Sequence, residues 1–324
     1  MQRKHYLRTD MAPLVSIIIP TFNYGNYIGD TLSNVLNQSF QDWECIVVDD
    51  GSTDATSEVV HRFSEKDRRI RYHWQRNGGL SNARNTGIRL AEGEFIQLLD
   101  ADDLLSPKKL DEQTKAMENR PELGITYSDA RYFRHGQENE TYRKFEYINK
   151  DRFSLNNKPW IPETDWTSPC ELIEYLYLQN IAPVNALLIQ RWVFDKVGGF
   201  DESFTSLEDW HFIAKAALNG IRFSFVGSPE AYAKIRVHTD SMSFNRPRME
   251  WNHIRLLLDM ERGLSKSGLS CHPPTGLIDQ RVRKLITRKG LGNIQHIRLL
   301  ANTMGWARTL KLYIKELNAN RKKH

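Results

Sequence analysis

The fold is decided by the stretch FIQLLDADD, residues 95–103, in which a run of apolar residues ends abruptly in three carboxylates. The apolar part, Phe95–Leu99, has the pattern of a buried strand. Burying like charges side by side is costly, because each carboxylate raises the pKa of its neighbours unless a positive group is close. The stretch therefore predicts a cation at the end of this strand.

The strand belongs to a regular alternation that runs through the first third of the chain. Short apolar runs alternate with segments of helical spacing, the runs being Val15–Ile19, Cys45–Val48, Ile70–Trp74 and Phe95–Leu99. This alternation predicts an α/β fold with a mostly parallel sheet covered by helices on both faces. In such sheets ligands bind at the carboxyl ends of the strands. The polar clusters TFNYGN, DDGSTD and DADD follow three of the predicted strands at that edge.

The rest of the chain is less regular. Residues 132–168 are polar and rich in aromatic side chains, which predicts a long loop or hairpin. Helical and strand patterns resume afterwards, with predicted helices near residues 171–178 and 208–218 and strands near residues 186–189, 222–226 and 232–237. Beyond Phe244 the pattern is helical, with predicted helices near residues 249–264, 277–287 and 294–317.

Composition is that of an ordinary globular protein. Of the 324 residues 40% are hydrophobic and 26% are charged. No apolar stretch approaches the ~18 residues that span a bilayer, and the N-terminus lacks the apolar core of a secretory signal. Three widely spaced cysteines, Cys45, Cys170 and Cys271, predict neither a disulfide framework nor a zinc site. We therefore expect a reducing, cytoplasmic location.

Several familiar catalytic motifs are missing. The turn after the first predicted strand is Pro20-Thr21-Phe22-Asn23-Tyr24-Gly25, which does not fit the glycine pattern of a dinucleotide-binding fold. A phosphate-binding P-loop, a serine nucleophile elbow and an HExxH zinc motif are also absent from the sequence. The chemistry is therefore expected to depend on the carboxylates.

Asp100 and Asp102 alternate so that an extended segment would point both to the same side. Two oxygen ligands at a strand end suit Mg²⁺ or Mn²⁺ shared with a diphosphate. The alternative is a solvated turn, in which Ser106 caps a helix that begins at Pro107. One strand earlier, Asp50 is expected to be free to accept hydrogen bonds from a ligand, while Ser52, Thr53 or Asp54 caps the next helix.

Taken together, these motifs resemble the bacterial family-2 glycosyltransferases of GT-A fold. The resemblance rests on VSIIIPTFNYGNYIGDTLSNVLNQSFQDWECIVVDDGSTDAT (residues 15–56), NGGLSNARNTGI (77–88) and EGEFIQLLDADD (92–103). It extends over about residues 14–220. It implies a GT-A fold with a Rossmann-like, mostly parallel sheet flanked by helices, a nucleotide-sugar donor, a divalent metal (Mn²⁺ or Mg²⁺) and inversion at the anomeric carbon.

Carried over residue by residue, the resemblance assigns a donor site. It implies that Thr21, Asn23 and Asp50 line the nucleoside pocket and that Arg84 helps to hold the donor. In the carboxylate pair it implies that Asp100 contacts the ribose or sugar and that Asp102 contacts the metal. The positive group required at the end of FIQLLDADD is then a metal ion, which acts as a Lewis acid on the departing nucleotide.

The acceptor side is assigned to TSLEDW, residues 205–210. An inverting transfer needs a base that removes the proton of the acceptor hydroxyl, and the resemblance assigns this role to Asp209, with Glu208 and Trp210 beside the acceptor. The alternative for this stretch is a capping box, because Thr205 and Glu208 have its spacing, but that reading leaves Asp209 without a role. The preceding GGFDESF, residues 198–204, matches the family's acceptor-side loop.

A last segment, RVHTDSMS at residues 236–243, resembles the RxHxxSxS segment of the family. It implies that Arg236 reaches the donor diphosphate and that His238 reaches the metal when a loop closes over the donor. The alternative is a histidine whose hydrogen bonds are satisfied at a strand end.

The C-terminal region is strongly basic. Residues 281–324 contain twelve Lys or Arg and one acidic residue, Glu316, whereas the first 280 residues carry a net charge of −6. No nucleic-acid-binding motif accompanies this charge. We expect contact with an anionic membrane surface, to which each basic residue adds ~1 kcal/mol, at the inner face of the plasma membrane.

The predicted organisation is an N-terminal segment (1–13), a GT-A domain (14–244) and a basic helical extension (245–324). Within the domain, residues 14–131 are the nucleotide-sugar-binding half and residues 132–244 the acceptor-binding half. The predicted function is a metal-dependent, inverting transfer of a sugar from a nucleotide-sugar, with UDP as the nucleotide, to a glycan or lipid-linked saccharide in cell-surface polysaccharide synthesis. The alternatives are a catalytically idle module that binds sugar nucleotides or glycans, and a nucleotidyltransferase.

Overall fold

The computed structural model describes residues 12–118, 120–147, 153–156, 160–238 and 246–289, with residues 301, 305, 309, 311 and 312. The N-terminal residues 1–11, most of the predicted helix at 294–317, the final basic residues and the segment from Thr239 to Ser243 lie outside the described residues.

The first part of the chain forms the predicted alternation. Its elements are β1 (Val15–Thr21), α1 (Ile28–Leu36), β2 (Trp43–Asp49), α2 (Thr56–Ser64), β3 (Ile70–Trp74), α3 (Leu80–Leu90), β4 (Phe95–Leu98), β5 (Leu104–Leu105) and α4 (Lys109–Met117). Strands β3, β2, β1 and β4 lie side by side in that order and are all parallel. Every residue of β1 is buried, and its side chains enter two separate cores, Ile17 and Ile19 on one face and Ile18 on the other. Helices therefore cover both faces of the sheet, as predicted.

The second part extends the same sheet. Its elements are β6 (Leu123–Arg134), β7 (Lys144–Tyr147), β8 (Phe153–Asn156), α5 (Pro169–Leu176), a 3-10 turn (Val184–Ala186), β9 (Leu187–Gln190), α6 (Arg191–Val197), α7 (Glu208–Leu218), β10 (Arg222–Val226), β11 (Tyr232–Val237), α8 (Arg246–Ser267) and α9 (Leu277–Lys289). Strand β9 pairs antiparallel with both β4 and β6, so it joins the two parts into one sheet. Strands β10 and β11 then pair parallel with β6, and β5 pairs with β11.

Three elements were not predicted, namely β5, β6 and α6. Strand β6 is a central strand, yet its buried residues include Thr126, Ser128 and Asp129, which interrupt the apolar pattern. The predicted hairpin after residue 132 is present, because β7 and β8 pair antiparallel as a separate small sheet. The predicted division between residues 131 and 132 falls within β6.

The prediction that the widely spaced cysteines give no disulfide framework missed one bond. Cys170 and Cys271 form a disulfide, with their Cα atoms 4.9 Å apart and a sequence separation of 101. The spacing of the cysteines in sequence could not predict this bond, because the two meet only when α5 packs beside the α8–α9 connection. The remaining thiol, Cys45, is buried in β2.

No helix in the described residues is long and apolar enough to cross a membrane.

Candidate active site

The acidic residues after β4 form a tight turn. The main-chain N–H of Asp103 donates to the carbonyl of Asp100 at 3.1 Å, so the segment is not extended as predicted. The side chain of Asp100 is 31% exposed and that of Asp102 is 14% exposed. Ser106 does not cap the next helix; its hydroxyl accepts from the N–H of Tyr232 on β11 at 2.9 Å. The turn therefore presents two carboxylates at the carboxyl edge of the sheet.

One buried arginine joins this turn to the second part of the chain. Arg84 on α3 is 1% exposed, and its Nη2 donates to Asp100 Oδ1 at 2.7 Å. Its Nη1 donates to Glu208 Oε1 at 2.6 Å. Although burial opposes its charge, the two carboxylates raise the pKa of Arg84. Arg84 thus places the acidic turn and the start of α7 at the same crevice, and its own side chain is not exposed there.

The start of α7 does not use a capping box. The residue before the helix is Leu207, which has φ 60° and ψ 21° and makes no side-chain cap. Thr205 Oγ1 instead accepts from Asn252 at 3.1 Å, and Glu208 is engaged by Arg84. A left-handed conformation is costly for a leucine, so this backbone is held by its surroundings next to two functional candidates.

Asp209 follows Glu208 in the first turn of α7. Its Oδ1 accepts from the N–H of Trp210 at 2.7 Å and its Oδ2 accepts from Asn180 Nδ2 at 3.3 Å. Burial, followed by the neighbouring charge of Glu208, raises the pKa of Asp209 to about 7. A carboxylate with a near-neutral pKa is suited to accept a proton at physiological pH. Trp210 and Glu208 are both buried, Trp210 donating from Nε1 to the carbonyl of Leu176 at 3.0 Å.

Asp102 and His238 are brought together by the fold. His238 Nε2 lies 2.7 Å from Asp102 Oδ2, and its ring stacks on Tyr27 at 5.2 Å between centroids. Its Nδ1 is buried and has no hydrogen-bond partner among the described residues. A carboxylate oxygen and an imidazole nitrogen that converge beside Asp100 fit a divalent cation such as Mn²⁺.

Arg236 occupies the interior rather than the crevice. Its side chain is fully buried, and Nε donates to the carbonyl of Asp102 at 2.7 Å. Its terminal nitrogens contact Asp30 at 3.2 Å, Glu138 at 3.3 Å and His135 Nδ1 at 2.6 Å. Asp30, His135 and Glu138 are the one group of three in the described residues whose atoms could jointly hold a metal. Because a guanidinium already lies among them, we interpret this group as the arginine's own counter-charge.

The predicted nucleoside pocket lies at the ends of β1 and β2. Asp50 is not free, contrary to the prediction: its Oδ1 accepts from Gln75 Nε2 at 2.7 Å and from Gly78 N–H at 2.8 Å, and its Oδ2 accepts from Gly79 N–H at 2.8 Å. Gly79 has φ 89°, which explains why a glycine stands there. Asp50 therefore fixes the turn that leads into α3 and Arg84.

Thr21 and Asn23 flank an exposed aromatic ring. Thr21 Oγ1 is buried and has no hydrogen-bond partner among the described residues. Asn23 has φ 58°, and its Oδ1 accepts from the N–H of Thr53 at 2.8 Å. Between them Phe22 is 45% exposed, and sequence reasoning passed over it. The sequence could have indicated this exposure, since a phenylalanine at a strand end between two polar residues is not expected to be part of the hydrophobic core.

Comparison with known proteins relates these features to one family. The model of the family "Glycosyl transferase family 2" matches residues 16–176. An uncharacterized glycosyltransferase of Rickettsia bellii is 33% identical over 236 residues, which are 72% of this chain and 30% of the relative. A putative teichuronic acid biosynthesis glycosyltransferase, TuaG of Bacillus subtilis, is 40% identical over 113 residues, 35% of this chain and 45% of the relative. The matches therefore span less than half the length of these relatives.

Solved structures share the fold. S. aureus TarS 1–349 in complex with UDP has a TM-score of 0.60 at 18% identity, covering 96% of this chain and 92% of that one. The mannosyltransferase PcManGT from Pyrobaculum calidifontis, in complex with GDP-Man and Mn²⁺, has a TM-score of 0.53 at 18% identity, covering 95% of this chain and 88% of that one. At this identity the likeness establishes the fold, and the predicted GT-A fold is confirmed.

Proposed function

This chain belongs to glycosyl transferase family 2, and we propose that it moves a sugar from a nucleotide-sugar donor to a saccharide or lipid-linked saccharide acceptor, with inversion at the anomeric carbon. The observation that carries the proposal is the pair of ion pairs made by Arg84. They hold the donor-side carboxylate Asp100 and the helix that begins with Glu208 and Asp209 at one crevice. A binding module that does no chemistry has no need for a near-neutral carboxylate at that place.

The donor is proposed to lie along the ends of β1, β2 and β4. The buried Thr21 hydroxyl offers an unused hydrogen-bonding group, and the exposed ring of Phe22 offers a stacking surface for a base. UDP is the proposed nucleotide, because the TarS structure that shares this fold contains UDP and a second one contains UDP-GlcNAc. TuaG, named for teichuronic acid biosynthesis, supports a role in cell-surface polysaccharide synthesis.

Asp102 and His238 are the proposed holders of a divalent metal, with Asp100 beside them in the same turn. The presence of Mn²⁺ in the PcManGT structure supports this assignment. When bound, the metal would supply Lewis acidity that neutralises the charge developing on the departing nucleotide. Arg236 acts from the interior, holding the main chain of Asp102 through its carbonyl.

Asp209 is the proposed base. It would take the proton of an acceptor hydroxyl as that oxygen attacks the anomeric carbon from the face opposite the leaving nucleotide. The bond from the anomeric carbon to the nucleotide phosphate oxygen breaks as the new glycosidic bond forms. Asn180 and the N–H of Trp210 orient the carboxylate, and the charge of Glu208 and burial keep its proton affinity high.

The proposal is tested by thermal stabilisation with UDP, GDP, CMP and dTDP, each with Mn²⁺ and with EDTA. A ligand that binds only the folded state at 100 times its Kd adds about 2.7 kcal/mol. We expect one nucleotide to raise the melting temperature only when the metal is present, and Asp102→Ala to abolish that rise. An absence of stabilisation by every nucleotide would contradict the enzyme proposal and favour a module that binds glycans.

A separate proposal concerns the basic extension. Twelve Lys or Arg against one acidic residue in residues 281–324 suit an anionic membrane surface, which would bring the enzyme to a lipid-linked acceptor. We expect the chain to sediment with anionic liposomes in low salt, and a variant truncated after Thr303 to lose most of this binding. Unchanged liposome binding by the truncated variant would refute the proposal.

A further inference from the structure

An asparagine from the acceptor-binding half spans the acidic turn. Asn185 lies in the 3-10 turn before β9 and is 1% exposed. Its Oδ1 accepts from the main-chain N–H of Asp100 at 2.9 Å, and its Nδ2 donates to Asp103 Oδ2. The two ends of one amide thus grip the residues on either side of Asp102.

The other oxygen of Asp103 completes a closed arrangement. Asp103 Oδ1 accepts from the N–H of Arg236 at 2.7 Å, while Arg236 Nε donates to the carbonyl of Asp102 at 2.7 Å. The turn is therefore held through the main chain of Asp100 and Asp102 and through the side chain of Asp103. The carboxylate of Asp102 points towards His238, with Oδ2 2.7 Å from Nε2.

The main chain of Asn185 is itself held by buried polar side chains. Its carbonyl accepts from Gln97 Nε2 at 3.0 Å, and Gln97 Oε1 accepts from the buried Lys109 Nζ at 2.6 Å. Because the main chain of Asn185 is already fixed by this bond, its side chain loses little conformational entropy when it binds the turn. It can therefore act as a rigid support for the turn.

The asparagine amide supplies the one acceptor and the one donor that the two contacts use. An aspartate would keep an acceptor for the N–H of Asp100 but would place a second carboxylate against Asp103. A serine would be too short to reach both partners. Asn185 is too deeply buried to touch a nucleotide or an acceptor, so any effect on binding must pass through the turn.

We propose that Asn185 is the positioning residue that sets the carboxylate of Asp102 for its divalent cation. The inference rests on the proposed metal-dependent function. Residues that orient metal ligands without touching the metal typically change its affinity by about 10–100-fold when they are replaced.

The test compares Asn185 with a matched asparagine. Asn34 on α1 likewise uses both ends of its amide, because Nδ2 donates to the carbonyl of Leu105 at 3.0 Å and Oδ1 accepts from the N–H of Leu105 at 2.8 Å. It braces the same loop without touching the acidic turn. The variants are Asn185→Ser, Asn185→Asp and Asn34→Ser.

Mn²⁺ binding is measured by titration with electron paramagnetic resonance, with and without UDP, and the melting temperature is measured in EDTA. We expect both Asn185 variants to raise the Kd for Mn²⁺ about 10–100-fold. We expect Asn34→Ser to lower the melting temperature and leave the Kd for Mn²⁺ unchanged. Should Asn185→Ser lose cooperative unfolding, the aspartate variant, which has the size of the native residue, decides the matter.

The outcomes separate the inference from the proposed function. Wild-type binding of Mn²⁺ in both Asn185 variants, or equal loss in the Asn34 variant, would overturn the positioning role alone. A wild-type chain that binds Mn²⁺ but none of the nucleotides would overturn the proposed donor and leave the comparison of asparagines valid. A wild-type chain that binds neither would overturn both.

Discussion

His238 Nε2 lies 2.7 Å from Asp102 Oδ2, although the two residues are 136 positions apart in sequence. The contact joins the residue that directly follows β11 to the acidic turn after β4. Since an imidazole and a carboxylate at this distance can share either a proton or a metal ion, the pair offers a direct test of metal dependence.

Replacing His238 by Gln is expected to weaken Mn²⁺-dependent stabilisation by UDP. Glutamine keeps a hydrogen bond to Asp102 within reach but is a poorer ligand for a divalent transition metal than imidazole. The rise in melting temperature with UDP and Mn²⁺ should shrink, while the melting temperature in EDTA should stay close to that of the wild type. His272→Gln, at an exposed position, is the control and should behave as the wild type. Equal behaviour of the two variants would remove His238 from the metal site.

Replacing Arg84 by Met is expected to lower the free energy of unfolding by about 3–5 kcal/mol. The change leaves Glu208 buried without its partner and frees Asp100, and an uncompensated buried charge is costly. Arg84→Lys should restore part of the loss, because it keeps a positive charge beside the two carboxylates. The restoration should be incomplete, because one ammonium cannot hold both carboxylates in a fixed geometry. Urea unfolding measures both variants. Lys115→Ala removes an exposed ion pair with Asp111 and should leave the urea midpoint unchanged.

Activity should depend on the ionisation of Asp209. Because its pKa is raised to about 7, the rate should fall as pH decreases below about 7, as the base becomes protonated. Initial rates of nucleotide release between pH 5 and pH 9 measure this, and Asp209→Asn should lower kcat by about 10²–10⁴-fold. A profile that is flat across pH 7 would argue against Asp209 as the base.

The same ionisation should change stability in the opposite direction, because the free energy of unfolding should fall as pH rises. In the unfolded chain Asp209 titrates near pH 3.9, so between about pH 4 and pH 7 the folded state holds a proton that the unfolded state has lost. The folded state is therefore progressively destabilised by this group as pH rises through that window. Asp209→Asn should be more stable than the wild type at pH 8 and equal to it near pH 4, as measured by urea unfolding at both values.

The disulfide between Cys170 and Cys271 should stabilise the chain measurably. It closes a loop of 101 residues, and loss of such a crosslink typically costs about 2–4 kcal/mol. Cys170→Ser with Cys271→Ser, or treatment with a reductant, should lower the urea midpoint. Thiol titration gives an independent check: one thiol, that of the buried Cys45, should react after unfolding, and three should react after unfolding with a reductant. Three reactive thiols without a reductant would show that the bond does not form.

Local pattern was sufficient to predict the individual elements of the candidate site. The acids at the ends of β2 and β4 and the acidic pair at the start of α7 follow directly from apolar runs and helical spacing, and α7, β10 and β11 have their predicted bounds. The partners of these acids could not be predicted in the same way. That Asp50 is held by Gly78 and Gly79, or Arg84 by Glu208, depends on how separate elements pack.

The same reason explains the larger misses. Asn185 lies in a short turn with no periodic pattern, and its role depends on contacts with residues more than 80 positions away. Strand β6 was missed because its position in the middle of the sheet buries polar side chains that hydrogen-bond to neighbours. The disulfide was missed because sequence separation is no guide to which cysteines meet.

The contacts of Arg84 and Asn185 also limit how this chain could be recombined with its relatives. Glu208 and Asn185 belong to the proposed acceptor-binding half, whereas Arg84 and Asp100 belong to the other. A chimera that imported residues 132–244 to change the acceptor would also import four side chains of the proposed donor site, namely Asn185, Glu208, Arg236 and His238. It would keep that site only if the incoming segment brought equivalent side chains to the same places, so modular exchange is better confined to the separate β7–β8 hairpin.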